Sequence, residues 1–235
     1  HNIYVNKEGT TRYDCTELPI THFKPKEIHA PIEKLISIGY TTDMYGQPLT
    51  HDDQLLEIKP QDIILPGFDS LEESGPQVLI RIAQFVDELL VKFYHQEPFY
   101  NIKRAEDLIG HLVIGLAPHI SAGLIGRIIG VSSTQGLITH PLYHAGLRRD
   151  CDGDEACVML LMDALLNFSR QYLPERRGAK TMDSPLVLTA LLNPSEVDDQ
   201  VHGIDVMWKY PLEFYEAAEE MKYPKEVKWG SNKKK

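Results

Sequence analysis

The stretch that decides the reading is His140–Met162, HPLYHAGLRRDCDGDEACVMLLM. Asp150, Asp152 and Asp154 crowd three carboxylates into five residues, with Gly153 between the last two. Like charges packed so closely are unfavourable at neutral pH unless water, a basic group or a cation offsets them. Arg148 and Arg149 stand immediately before the cluster, and a long apolar run follows it. The acids therefore belong to the end of a structured element, not to a solvated tail. That placement suits a hard cation such as Mg2+, which takes oxygen ligands and keeps several waters and substrate phosphates. Two other readings compete. A calcium loop of the EF-hand type needs glycine in sixth place, whereas Gly153 is fourth counting from Asp150. An acidic turn before a helix accounts for Asp154 and Glu155, because acids complement a helix N-terminus. It leaves Asp150 and Asp152, beside two arginines, without a reason. The residues favour a metal site made by Asp150, Asp152 and Asp154.

A chain of 235 residues is long enough for one large domain or two small ones. With 43% apolar and 25% charged residues its composition is globular. The net charge of -10 excludes a general nucleic-acid coat protein, which would be basic overall. It does not exclude an enzyme with a local basic channel, because fields act locally around a cleft. No apolar run reaches the length of a membrane span. Cys15, Cys151 and Cys157 have no framework or CxxC spacing, which predicts free thiols in a reducing cytoplasm and no zinc site. The chain opens HNIYVNKEG without an initiator methionine, so a piece of a longer polypeptide is expected. The ending WGSNKKK reads as a linker or a cloning scar.

Residues 2–28 read as strands and turns. Pro25 keeps Lys24 extended, and Lys24 and Lys26, two apart, would share one face of a strand and offer two ammonium groups to phosphates. A solvated pair of surface lysines is the plainer alternative. A short helix is expected from Pro31 to about Ile38, closed by Gly39. A loop follows over 41–49, then two strand-like pieces in 55–65 split by Lys59–Asp62. Pro66 to Pro76 is rich in breakers and reads as a linker. Over 77–94 apolar residues recur at helical spacing, Val78, Leu79, Ile82, Phe85, Val86, Leu89, Leu90 and Phe93, predicting an amphipathic helix. A second short helix is expected at 104–109, a buried strand at 111–118 and a strand at 136–139. The glycine-dotted segment 119–130 is read as a short helix packed closely on a neighbour. Val158–Leu173 reads as the strongest late helix, 184–189 as a strand, and the segment after Tyr210–Pro211 as a helix. Arg176, Arg177 and Lys180 form a basic cluster able to track a phosphate backbone, or an ordinary solvated loop.

The string HPLYHAGLRRDCDGD resembles the catalytic loop of multi-subunit RNA polymerases, HPLxxAAYNADFDGD, with the same separation from His140 to Asp150. More of the chain resembles the large subunit of archaeal DNA polymerase D. THFKPKEI (21–28), EIKPQDIIL (57–65), IGRIIG (125–130), RRDCDGDEA (148–156), MDALLNFSRQYLP (162–174) and KTMDSPLVL (180–188) carry that resemblance across nearly the whole chain.

The resemblance implies an α+β fold built on two double-psi β-barrels that face each other, with connecting and flanking helices. The implied division is 1–66, a first barrel portion with basic residues; 67–110, a helical connector; and 111–192, a second portion with the acid loop. A strand and helix segment at 193–229 and a tail at 230–235 complete it. The implied function is the catalytic core of a DNA-directed DNA polymerase, with Mg2+, or Mn2+ in its place. Primer-template DNA, deoxynucleoside triphosphates, a small exonuclease subunit and, through regions outside this chain, a sliding clamp are the expected partners. Asp152 and Asp154 are the first metal ligands. Asp150 is the less secure third, since polymerase D relatives often carry Asn in that slot. Lys24 and Lys26 would neutralise triphosphate or transition-state charge. Arg148, Arg149, His140, His144, Arg176, Arg177 and Lys180 are candidates for nucleotide or DNA contact, with a hydrogen bond at the His-Pro turn the plainer role for His140. An RNA-synthesising barrel and a non-catalytic binding module are the alternatives.

Overall fold

In the computed structural model, residues 1–5, 11–67, 73–120, 122–150, 152–167, 187–197, 201 and 210–223 are described. The chain divides into two compact units, His1–Asp198 and Asp199–Lys235. The first is mixed α and β, dominated by one seven-stranded sheet. Its strands are β1 (Tyr13–Pro19), β4 (Asp62–Pro66), β5 (Leu112–Leu116), β6 (Ala122–Ser132), β7 (Leu137–Thr139), β8 (Glu155–Leu160) and β9 (Val187–Thr189). They are hydrogen-bonded in the order β4-β7-β1-β8-β5-β6-β9, and β4 pairs with β6 as well, so the order returns on itself. A separate pair joins β2 (His22–Phe23) to β3 (Leu56–Glu57). Strands β1 and β4 of 1–66 thus share a sheet with the strands of 111–192: β1 lies between β7 and β8, and β4 between β6 and β7.

Helix α1 (Ile32–Ser37) follows Pro31 and is closed by Gly39 at φ 98°, a conformation glycine adopts without a Cβ penalty. Helix α2 (Gly75–Lys92) covers the expected amphipathic segment and buries Leu79, Ile82, Ala83, Val86 and Leu90 against the sheet. Short helices α3 (Pro141–Gly146) and α4 (Leu161–Asn167) follow β7 and β8 directly, and residues 105–108 form one 3-10 turn. In α4, the buried carboxylate of Asp163 accepts from Thr11 N and Oγ1 at 2.8 and 2.7 Å. The second unit contains α5 (Leu212–Glu219), after Tyr210–Pro211 as expected. Among the described residues no helix is long and apolar enough to cross a membrane.

Three sequence-based expectations give way. Segment 119–130 is not a helix: Ala122–Ser132 is the longest strand of the sheet. Its glycines permit close approach, as in strands where another group comes near the backbone. A Cβ on Gly126 would lie 2.8 Å from the Tyr143 hydroxyl, and one on Gly130 only 2.6 Å from the Ile28 carbonyl oxygen. The late helix does not begin at Val158, because Glu155–Leu160 is β8 and the helix starts at Leu161. Residues 168–173 of that expectation lie outside the described residues. Strand β8 is buried on both faces, which gives a continuous apolar run instead of alternation. Ala156, Val158 and Leu160 enter the core under α2, and Cys157 and Met159 the opposite one with Ile114 and Leu116. Finally, Lys24 and Lys26 do not share a strand face. Lys24 is extended, as the following proline requires, but Pro25–Ile28 is a 3-10 turn that carries Lys26.

Strands β4, β6 and β7 also feed cores on two sides. Ile63, Leu65, Ile128 and Leu137 pack with α2, while Ile64, Ile129 and Ile138 pack with Phe23, Ile28, Leu35 and Leu56. The α1 side is fastened by a buried polar cluster. Arg127 of β6 donates to both carboxylate oxygens of Asp62 (2.8 and 2.7 Å) and to the Ile38 carbonyl (2.8 Å). Tyr40 donates its hydroxyl to the same carboxylate at 2.6 Å.

Candidate active site

The acid loop links α3 to β8, and each of its ends is held by a defined device. The N-terminal end is a helix termination of the Schellman type. Arg149 N donates to the His144 carbonyl and Arg148 N to that of Ala145, both at 3.0 Å. The left-handed position between them usually falls to glycine; here it is Arg148, at φ 59°. A non-glycine residue held there stores strain of the kind found at functional sites. Gly153, at φ 100°, turns the chain back towards the sheet. The Asp154 carbonyl then accepts from Glu17 N at 2.8 Å, and β8 begins.

Helix α3 is itself set firmly. His140 caps it: Nδ1 accepts from Leu142 N at 3.0 Å. Burial pushes the His140 imidazole below its ordinary range, which favours the neutral ring, and the bond from Leu142 N makes Nδ1 its unprotonated nitrogen. Tyr143 is fully buried over Gly115 and Gly126 and donates to the Leu124 carbonyl at 2.9 Å. Placement of the loop therefore depends on contacts made several residues before it.

Asp150 and Asp152 are exposed and Asp154 is half-buried. Among the described residues Asp154 is ion-paired with Arg149, at 3.7 Å between guanidinium and carboxylate. Among the described residues, no three His, Cys, Asp or Glu side chains gather as a complete metal cage. A partial set of exposed carboxylate oxygens is still what Mg2+ uses when water and substrate phosphates complete its shell. The lysine pair and the acid loop have separate partners. Lys26 is ion-paired with Asp53, which raises its pKa and lowers that of Asp53, and Glu27 accepts from Lys24 N at 2.9 Å. Among the described residues no ion pair joins Lys24 or Lys26 to Asp150, Asp152 or Asp154. Arg176, Arg177 and Lys180 lie outside the described residues. Neither Cys15 nor Cys157 is in a disulfide, and burial raises the Cys15 pKa well above its ordinary value, so that sulfur is no nucleophile.

His144 is not placed for nucleotide contact. It is fully buried, with Nδ1 3.0 Å from Glu17 Oε2 and Nε2 3.0 Å from Thr139 Oγ1. The Glu17 approach is close but poorly directed, and neither Glu17 oxygen has an aligned hydrogen bond. Sequence reasoning passed over Glu17. Its signal is the period of β1, in which Tyr13, Cys15 and Glu17 fall on the more buried side and Asp14 and Thr16 on the exposed one.

Burial raises the Glu17 carboxyl above its ordinary pKa of 4.5; His144 and Arg149 pull it down, and Asp154 pushes it up. The folded chain therefore holds this proton more tightly than the unfolded chain. The stability it contributes is complete below pH 4.5 and is lost as pH rises through the folded pKa. Glu17→Gln, which cannot ionise, is expected to flatten that part of the dependence of melting temperature on pH. Melts of both forms between about pH 4 and 8 check this, and parallel curves would refute it.

Residues 1–232 match the family model described as DNA polymerase II large subunit DP2, catalytic domain. The chain is 57% identical to a DNA polymerase II large subunit of Archaeoglobus fulgidus, over 97% of this chain and 19% of that protein. It is 58% identical to one of Pyrococcus furiosus, over 97% of this chain and 17% of that protein. For one of Methanococcus maripaludis the figures are 54%, 97% and 20%. The chain thus spans about a fifth of the length of these relatives. The acid loop, the anchors of that loop and the sheet behind them all lie within the matched residues, and the chain belongs to the DNA polymerase II large subunit family.

Proposed function

We propose that this chain is the catalytic core region of a DNA-directed DNA polymerase, adding deoxynucleotides to a primer 3′-hydroxyl. The carrying observation is the exposed acid loop, anchored at both ends, in a chain matched over 1–232 by that catalytic domain. The primer 3′-oxygen attacks the α-phosphorus, the bond to the β-phosphate oxygen breaks, pyrophosphate leaves and the hydroxyl proton passes to solvent. Asp152 and Asp154, with Asp150 as third, would hold the divalent cation, Mg2+ or Mn2+. When bound, such ions supply charge stabilisation for the attacking and leaving oxygens. Arg149 limits repulsion within the loop, and Arg148, exposed beside it, is available to a phosphate.

Lys24 and Lys26 would neutralise triphosphate charge. Lys26 would first exchange Asp53 for phosphate, an easy exchange because the existing pair is exposed and screened. The return of the strand order through β4 and β6 supports one closed barrel of the double-psi kind, β4-β7-β1-β8-β5-β6. A facing barrel would then come from elsewhere in the longer polypeptide. A small exonuclease subunit and a sliding clamp would be partners of that whole protein.

Primer extension by the complete enzyme tests the reading. Extension with deoxynucleoside triphosphates is expected to stop on chelation and return with Mg2+. Equal use of ribonucleotides would favour RNA synthesis. No extension at all would favour a binding module.

A further inference from the structure

The two ends of the acid loop hang from two residues whose side chains meet beneath it. Arg149 N is bonded to the His144 carbonyl, and the Asp154 carbonyl to Glu17 N. The His144 ring and the Glu17 carboxylate, both without solvent exposure, lie 3.0 Å apart. Thr139, on β7, holds the far side of the ring at 3.0 Å. One short path therefore runs from Arg149 through His144 and Glu17 to Asp154, closing a ring under the loop. Three elements, α3, β1 and β7, meet in it. A buried pair of this kind is a weak source of stability, since apolar residues of similar size do as well or better. Carboxylate oxygens left without a directed hydrogen bond are a net cost. What the pair supplies is a fixed separation between the two main-chain anchors.

We propose that Glu17 and His144 are positioning residues for nucleotidyl transfer. Their side-chain contact sets the distance between Arg149 and Asp154, and so the spacing at which Asp152 and Asp154 are offered to a divalent cation. Neither residue touches substrate. The inference rests on reading the loop as the metal-holding element, and its test separates the two.

The test uses the complete polymerase carrying Glu17→Gln, which keeps shape and volume, with His144→Asn and His144→Ala as a second pair. Amide exchange is followed without metal in the peptide containing Arg149 and Asp154. Exchange there is expected to rise about tenfold or more in Glu17→Gln, with β5 and β6 unchanged. The cation concentration for half-maximal extension is expected to rise about 10–100-fold, the usual scale for losing an outer-shell partner, with the nucleotide KM little moved. His144→Asn, which keeps a donor near Nδ1, should recover part of what His144→Ala loses. Unchanged exchange at the loop, or exchange that rises equally throughout the sheet, would overturn the proposal. A loosened loop in an enzyme whose Asp152→Asn variant still extends primers would refute the metal reading but not the positioning contact. An unaltered loop in an enzyme that Asp152→Asn disables would do the reverse.

Discussion

Asp152→Asn or Asp154→Asn is expected to lower primer extension by the complete polymerase by about a hundredfold or more, with the melting temperature little changed. The first half follows from the charge at stake. Amide oxygens can still coordinate, but each substitution removes a full negative charge from a cluster of three. Stabilisation fixed in place at a reacting phosphate is among the largest single contributions to catalysis, and loss of one such group costs about 10²–10³ in rate. The second half follows from exposure. Asp152 is exposed and Asp154 half-buried, and the strong contact of Asp154 uses its main-chain carbonyl, which the substitution keeps. Asp154→Asn also weakens the long approach of Arg149, while removal of like charge around Asp150 relieves the loop. Asp150→Asn should have the mildest effect of the three, since an amide oxygen in that slot keeps a ligand. Primer extension against cation concentration, with thermal melts in parallel, checks all three variants. Near-normal extension by the Asp152 and Asp154 variants would remove the loop from the chemistry.

What the sequence shows of this fold depends on whether an element has one buried face or two. Helix α2 is half-buried, so its apolar spacing exposes it directly. Strands β5 and β7 are short apolar runs bounded by proline or glycine and are equally plain. Strands β6 and β8 are covered on both sides. A continuous run such as Val158–Met162 then fits a helix as well as a strand, and only the partner strands decide. The glycines of β6 sharpen the point. A helix would carry Gly123, Gly126 and Gly130 as a cost, whereas in the sheet Gly126 and Gly130 make room for Tyr143 and the Ile28 carbonyl.

The candidate site divides in the same way. Asp150, Asp152 and Asp154 are adjacent in sequence and could be found there. Their support comes from Glu17, more than a hundred residues away and brought close only by the pairing of β1 with β8. His144 is visible as a histidine, but its burial between Glu17 and Thr139 is not.

Arg127→Met is expected to be strongly destabilising, costing about 3–5 kcal/mol, the range for breaking one side of a buried ion pair. Asp62 is almost fully buried, and Arg127 occupies both of its oxygens. Methionine fills much of the space but leaves the carboxylate, among the described residues, with only the Tyr40 hydroxyl as a side-chain donor. It also strips the Ile38 carbonyl, at the end of α1, of its guanidinium donor. The damage therefore falls on the junction of α1, β4 and β6, where Asp62 and Arg127 are directly paired across the strands. For a domain of this size the loss corresponds to a fall of roughly 6–20 °C in melting temperature. Asp62→Asn alone should cost less, because a neutral amide still accepts one guanidinium bond and answers the hydroxyl. Combined with Arg127→Met it should recover part of the stability, since the orphaned charge has gone. Thermal and denaturant unfolding of the two single variants and the double variant measures that coupling. Strict additivity would mean that Arg127 stabilises the junction through its packing and its bond to Ile38, not through Asp62.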